Sequence, residues 1–313
     1  MNFSSDDLPE SPTPNPNSAD AVPVWGRASS PVQAEQGSAD STGQSCASGV
    51  PFDASHFSDG QPSVPFDVAS PDPAWTGLDI LRLMVLIIVA IIACFFAAVL
   101  VTRICVYPHM GLGEIARIPL VAVAGQSLAY LLIFGYMYVL VTRERRRPDF
   151  LAAIHWNWPS NIAAYVVVGF ALSLALQVLA HFLPIPKELP IDNFFRTPAE
   201  AWALSILSVT LAPLMEELFF RGFLYPVLAR RLGLPIAVFL TALGFALLHV
   251  AQLGRAWGPV LVIFLVGIVL TLVRAKTNSV AAGVLIHMAY NGTITVAMFA
   301  ATDGFRHLEK LNQ

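Results

Sequence analysis

The chain has 313 residues and a formal net charge of −3; 56% of its residues are hydrophobic, 12% are charged, and the mean hydropathy is +0.64. A soluble domain carries roughly twice that charged fraction. The apolar residues fall in long blocks after residue 78, which excludes a soluble globular domain and the short alternating segments of a transmembrane barrel. No basic run has the character of a nucleic-acid patch, so nucleic acid is not expected as a partner.

Residues 1 to 75 hold ten acids against one base, Arg27, and eleven of the 23 prolines. Such a segment buries too little apolar surface to offset its ordering entropy and is expected to be a disordered acidic tail. Its first residues, MNFSSDDLPESPTPNP, lack both a basic start and an apolar core, so they do not read as a signal peptide. The near-repeat VPFDAS at 50–55 and VPFDVAS at 64–70 is read as a duplicated linker segment. The three cysteines, Cys46, Cys94 and Cys105, form no CxxC pair. That argues against a disulfide framework or a cysteine-built zinc site.

About seven, or eight, transmembrane helices are expected after the tail, in an all-α polytopic membrane bundle. The predicted spans are 80–102, 118–142, 161–183, 201–224, 235–253, 258–273 and 280–301. The sixth is short for a bilayer of ~30 Å, so it is expected to be enclosed by its neighbours or extended at an end. Residues 76–200 are read as accessory helices, 201–302 as the functional core and 303–313 as a short C-terminal tail. The densest basic cluster, RERRR at 143–147, follows the second span. Its side is taken as cytoplasmic, which places the N-terminal tail there and the C-terminus on the far side. Trp156 and Trp158 beside the cluster suit an interfacial belt.

The stretch LAPLMEELFFRG, 211–222, sets two carboxylates and an arginine in an apolar span. An ionisable group in hydrocarbon costs ~2.5–3.5 kcal/mol, so each one inside a span is a functional candidate. The candidates are Glu216, Glu217 and Arg221 in the fourth span, His249 in the fifth, and His287 with Asn291 in the seventh. Glu217 and Arg221 are spaced i,i+4, acid first, the favourable order for a helical ion pair. Glu216 points about 100° away from Glu217 and faces another surface. Phe245 and His249 share a face, as do His287 and Asn291. The remaining histidines, His56, His109, His155, His181 and His307, fall in the tail, in loops or at interfaces.

The fourth and fifth spans are expected to form a hairpin through ARRLGLP, 229–235. Leu232–Gly233 supplies the stop, and Pro235 lies in the first turn of the next helix. Glu216 then lies level with His249 in an antiparallel pair, and His287 lies ~12 Å into the last span. A carboxylate, two imidazoles and an amide in one layer suit hydrolysis. The carboxylate takes a proton from water, a histidine orients or deprotonates that water, and a His with an Asn donates to a developing oxyanion. Glu216, His249 and His287 are also of the types that hold a divalent metal such as zinc. The Glu217–Arg221 pair is read as supporting structure. Pro213, one turn before Glu216, is expected to loosen the local hydrogen-bond ladder. The chain contains no HExxH, P-loop or GxSxG.

EELFFRG at 216–222, FALLH at 245–249 and HMAYN at 287–291 resemble, in order, the EExxxR, FxxxH and HxxxN motifs of the CPBP (Abi) family. These are intramembrane proteases related to the type II CAAX prenyl endopeptidase. Gly267 and the approach TNSVAAGVLIH are also similar, and the likeness covers about residues 205–295. The resemblance implies an integral membrane endopeptidase acting on a membrane-associated peptide or protein, in some members a prenylated CaaX substrate. Glu216 and His249 would then activate water, and His287 and Asn291 would form the oxyanion site. Glu217, Arg221 and Phe245 would support them. Both metal-dependent and metal-free, glutamate-based mechanisms are attributed to the family. Two other function classes stay open at this point. One is a non-catalytic immunity or scaffold protein on the same fold, suggested by the tail. The other is an ion-coupled transporter with a Glu/His relay, which lacks the support of an inverted repeat.

Overall fold

The computed structural model describes residues 73–186 and 189–312, and within them the secondary structure is helical. The acidic tail to residue 72, its near-repeat, Cys46, His56 and Lys187 lie outside the described residues. The helices are α1 (Gly77–Cys105), α2 (Leu112–Ile115), α3 (Pro119–Val139), α4 (Phe150–Ala153), α5 (Ile162–His181), α6 (Pro198–Val209), α7 (Leu211–Glu217), α8 (Tyr225–Leu232), α9 (Leu234–Leu248), α10 (Trp257–Thr277) and α11 (Val280–Ala301). One π-helical turn, Leu140–Glu144, extends α3, and a second, Leu218–Leu224, joins α7 to α8.

Six stretches are long and apolar enough to cross a membrane: α1, α3 with its π extension, α5, α6 through α8 as one 35-residue stretch, α10 and α11. The protein is therefore an integral membrane protein of the all-α class. The predicted sixth span is extended at both ends to 21 residues. The predicted fifth span is shorter than expected. As α9 it has 15 residues and ends at Leu248. At 1.5 Å per residue it covers only ~22 Å, less than the bilayer core. The turns that follow carry Gln252, Gly254 and Arg255, which interrupt the apolar pattern.

Helix starts follow from capping chemistry. The Asn161 side chain accepts from Ala164 N at 3.0 Å, and the Ser279 hydroxyl accepts from Ala282 N at 3.0 Å. Thr197 and Glu200 reciprocate at the start of α6, at 3.3 and 2.9 Å. Asn278 adopts the left-handed conformation at the end of α10 (φ 49), and Gly233 (φ 78) turns α8 into α9. The break between α6 and α7 falls at Thr210. Its cause is Pro213, whose ring would collide with the carbonyl of Val209 in a continuous helix and whose nitrogen has no proton to give it.

The helices divide into an outer and an inner set. In α1 and α5 only 17% of the most apolar window is buried, whereas the figure is 44% for the α6–α8 stretch and 39% for α10. Residues such as Leu78, Phe96, Leu131, Val167 and Val178 are left facing outward, where hydrocarbon rather than water receives them. Helices α9 and α11 pack against this inner set, and together they carry the candidate site. Glu217 through Phe223 are seven consecutive buried residues, an arrangement open only to a helix surrounded on every side.

The segment before α1, assigned by composition to the tail, packs into this core. Trp75 is buried, stacks on Phe223 at 4.6 Å between ring centroids, and donates Nε1–H to the Phe223 carbonyl at 3.0 Å. Arg230 of α8 donates to the carbonyls of Pro73 and Trp75. Asp79, also buried, accepts two bonds from Arg145 at 2.5 and 2.6 Å, tying α1 to the end of α3.

Candidate active site

Arg221 has no exposed surface, so each of its donors needs a partner. Nη1 donates to Glu217 Oε1 at 2.8 Å, Nη2 to the Gly267 carbonyl at 3.0 Å and Nε to Thr271 Oγ1 at 3.3 Å. The Phe245 ring lies 4.7 Å from its guanidinium carbon, a cation–π contact. The π turn places Arg221 and Glu217 together inside the bundle, and α10 supplies the other acceptors. Thr271 and the Gly267 carbonyl have no charge to mark them in the sequence. Thr271 is signalled only by its i,i+4 spacing from Gly267, which sets both on one face of α10.

Glu217 does more than pair with Arg221. Its Oε1 also lies 3.0 Å from His287 Nδ1 on α11. A carboxylate oxygen accepts, so Nδ1 carries the ring proton and the other nitrogen, Nε2, points toward Glu216. Glu216 Oε2 stands 3.7 Å from that Nε2. The two adjacent carboxylates thus converge on opposite ends of one imidazole. The two side chains leave the helix in different directions, one to Arg221 and the other to a partly open surface, and the His287 imidazole reaches toward both. Glu217 is fully enclosed, whereas 19% of the Glu216 side chain is exposed. Of the two, Glu216 is the one open to an incoming molecule.

His249 is the residue just past α9, half-buried at the helix end. Its Nδ1 lies 2.9 Å from the Phe245 carbonyl. A carbonyl only accepts, so Nδ1 is the protonated nitrogen and Nε2 presents a lone pair. The Phe245 ring stands 5.0 Å from the His249 ring and 5.6 Å from the His287 ring. The structure therefore brings Glu217, Arg221 and His287 into one bonded group with Glu216 3.7 Å from its edge, and His249 meets that group across the Phe245 ring. Asn291, one turn beyond His287, donates Nδ2–H to the Ser208 carbonyl beside the α6–α7 break at 2.7 Å. Tyr130 of α3, absent from the sequence-derived candidates, lies within electrostatic reach of Glu216.

A divalent metal would need Glu216, His249 and His287 to converge with ligand atoms ~2.0–2.2 Å from one point. Among the described residues no three His, Cys, Asp or Glu side chains are grouped to hold a metal ion. His249 and His287 each give Nδ1–H to a protein acceptor, which leaves Nε2 of each with a lone pair, but these atoms and the Glu216 carboxylate are not gathered round one point. The residues as arranged do not fit a metal, and no chemistry is derived through one.

No curated protein matches the chain, and no solved structure matches it. Residues 198–293, from the start of α6 into α11, match the family model described as type II CAAX prenyl endopeptidase, Rce1-like. The matched segment holds all three motifs and the bonded Glu–His–Arg group, and it is similar to the corresponding part of CAAX-type proteases.

Proposed function

We propose that this protein is an integral membrane endopeptidase that hydrolyses a peptide bond of a membrane-associated substrate with water activated by Glu216 and His249. The observation that carries the reading is His287 held between Glu216 and Glu217, inside the segment that matches the CAAX-protease family. Glu216, the exposed member of the pair, accepts a proton from water, assisted by the Nε2 lone pair of His249. The resulting hydroxide adds to the scissile carbonyl. His287, whose Nδ1–H is held by Glu217, donates to the developing oxyanion only with a second proton on Nε2; in that form it and Asn291, on the same face of α11, stabilise the charge. The proton taken by Glu216 then passes to the departing amine, leaving a free carboxylate and a free amine as products.

Glu217 and Arg221 remain as fixed ions throughout. Their part is to hold the tautomer and orientation of His287. The site lies toward the end of α7 that leads into the basic cytoplasmic-side residues Arg230 and Arg231. This suits a substrate anchored to the cytoplasmic leaflet, a prenylated CaaX-type peptide being the first to test.

Purified protein in proteoliposomes should cleave a farnesylated CaaX peptide between the prenylated cysteine and the residues after it. Glu216→Gln and His249→Ala should each abolish cleavage. Cleavage retained in both variants would remove the mechanism. Wild-type protein that cleaves nothing, yet complements a null strain as the Glu216→Gln variant does, would favour the non-catalytic reading.

A further inference from the structure

One buried polar atom at the site has no function in the account above. Glu217 Oε2 is enclosed and has no hydrogen-bond partner among the described residues. It points at α11, where it meets Gly283. A Cβ on Gly283 would lie 2.7 Å from Oε2 and 3.5 Å from the carboxyl carbon, and the first distance is well inside van der Waals contact. Gly283 precedes His287 by four residues, so the two lie one above the other on the same face of α11. Glu217 therefore spans one helical turn, with Oε2 against the bare Cα of Gly283 and Oε1 on the Nδ1 proton of His287.

A second side of α11, about 110° round the helix, is equally tight. A Cβ on Gly169 of α5 would lie 2.4 Å from the Ile286 carbonyl and 2.7 Å from the Ala289 Cβ. These residues flank His287 in sequence. With α5 already in close contact on that side, one direction of retreat from an added methyl at Gly283 is closed to α11. The displacement would fall on the Glu217 carboxylate, which is held in turn by Arg221, itself anchored on the Gly267 carbonyl and Thr271.

We propose that Gly283 is a positioning residue of the active site: its missing side chain admits the Glu217 carboxylate against α11 and so fixes the Oε1 to Nδ1 bond that orients His287. The inference rests on the proposed hydrolytic role of His287 in its activity arm only. A methyl at this position moves the carboxylate out of line with the imidazole, and a misplacement of ~1 Å can cost about 100-fold in rate.

The test is a double-mutant cycle in the full-length protein. Gly283→Ala should lower kcat by about 100-fold with KM little changed, since the substrate does not touch the residue. Glu217→Asp withdraws the carboxylate by one methylene and should also lower kcat. The double variant should be no worse than Glu217→Asp alone, because the added methyl then meets nothing. Losses that multiply in the double variant would overturn the proposal.

A second arm needs no activity. Nitrogen-15 histidine spectra of detergent-solubilised protein, with His287 assigned by a His287→Gln difference, should show its Nδ1–H tautomer in the wild type and lose that signature in Gly283→Ala. An unchanged His287 spectrum in a folded Gly283→Ala protein would overturn the proposal even if no substrate is ever found. Should Gly283→Ala fail to fold, recovery of folding in Gly283→Ala/Glu217→Asp supports the inference, and failure of that double variant overturns it.

Discussion

Glu217 and His287, seventy residues apart in the chain, meet at 3.0 Å with neither side chain appreciably exposed. The same carboxylate oxygen carries Arg221 at 2.8 Å. One oxygen thus sets both the charge balance of the inner helices and the tautomer of an imidazole that faces Glu216.

Removing one partner of such a buried pair leaves the other without compensation. Arg221→Met should destabilise the protein by about 3–5 kcal/mol, because Glu217 then keeps a charge in a closed site. Arg221→Met/Glu217→Gln should recover part of that loss. Thermal unfolding in detergent, followed by intrinsic fluorescence, measures both.

The arrangement of donors predicts indifference to chelation. Glu216, His249 and His287 do not group as metal ligands, so dialysis against EDTA should leave cleavage rate and melting temperature unchanged. Elemental analysis should find metal well below one equivalent. A loss of activity that zinc alone restores would contradict this geometry.

Trp75 is expected to be a strong anchor despite lying outside the spans. Trp75→Ala removes a stacked ring and its bond to the Phe223 carbonyl, at a cost of about 3–5 kcal/mol. Trp75→Phe keeps the stack but strands the carbonyl, at a cost of about 1–3 kcal/mol. The order of the two melting temperatures checks the assignment.

Asn291 bonds the Ser208 carbonyl through its amide N–H. Asn291→Asp puts an acceptor against an acceptor and should impair cleavage more than Asn291→Ala does. Steady-state kinetics on the three proteins separates the outcomes.

The helical class, the hairpin turn at Gly233 and the layer of charged residues were all legible in the sequence. Apolar block length and intramembrane charge are strong local signals, and the EExxxR, FxxxH and HxxxN spacings each sit on single helices. The end of α9 at Leu248 was not legible, because the apolar pattern runs on for a few residues beyond it. The convergence of Glu216 and Glu217 on His287 was also hidden. It depends on one imidazole of α11 lying within reach of both carboxylates, a tertiary fact that no spacing encodes. Trp75 was hidden for a related reason, since a single aromatic residue after a proline-rich stretch has no periodicity to reveal its partner. Gly283 left the faintest mark of all, one glycine on the turn before a histidine.

The order in which the helices are made gives the Glu217–Arg221 pair one more consequence. Gly267, Thr271 and His287 all belong to helices synthesised after it, so the growing chain must present its fourth apolar stretch to the bilayer before those partners exist. Two separate ions there would oppose entry, but an i,i+4 pair cancels its own charge within a single turn. The contact that later fixes the imidazole is thus also an insertion device. A chain carrying Arg221→Met should be handed to the membrane's quality-control proteases before it ever assembles a site.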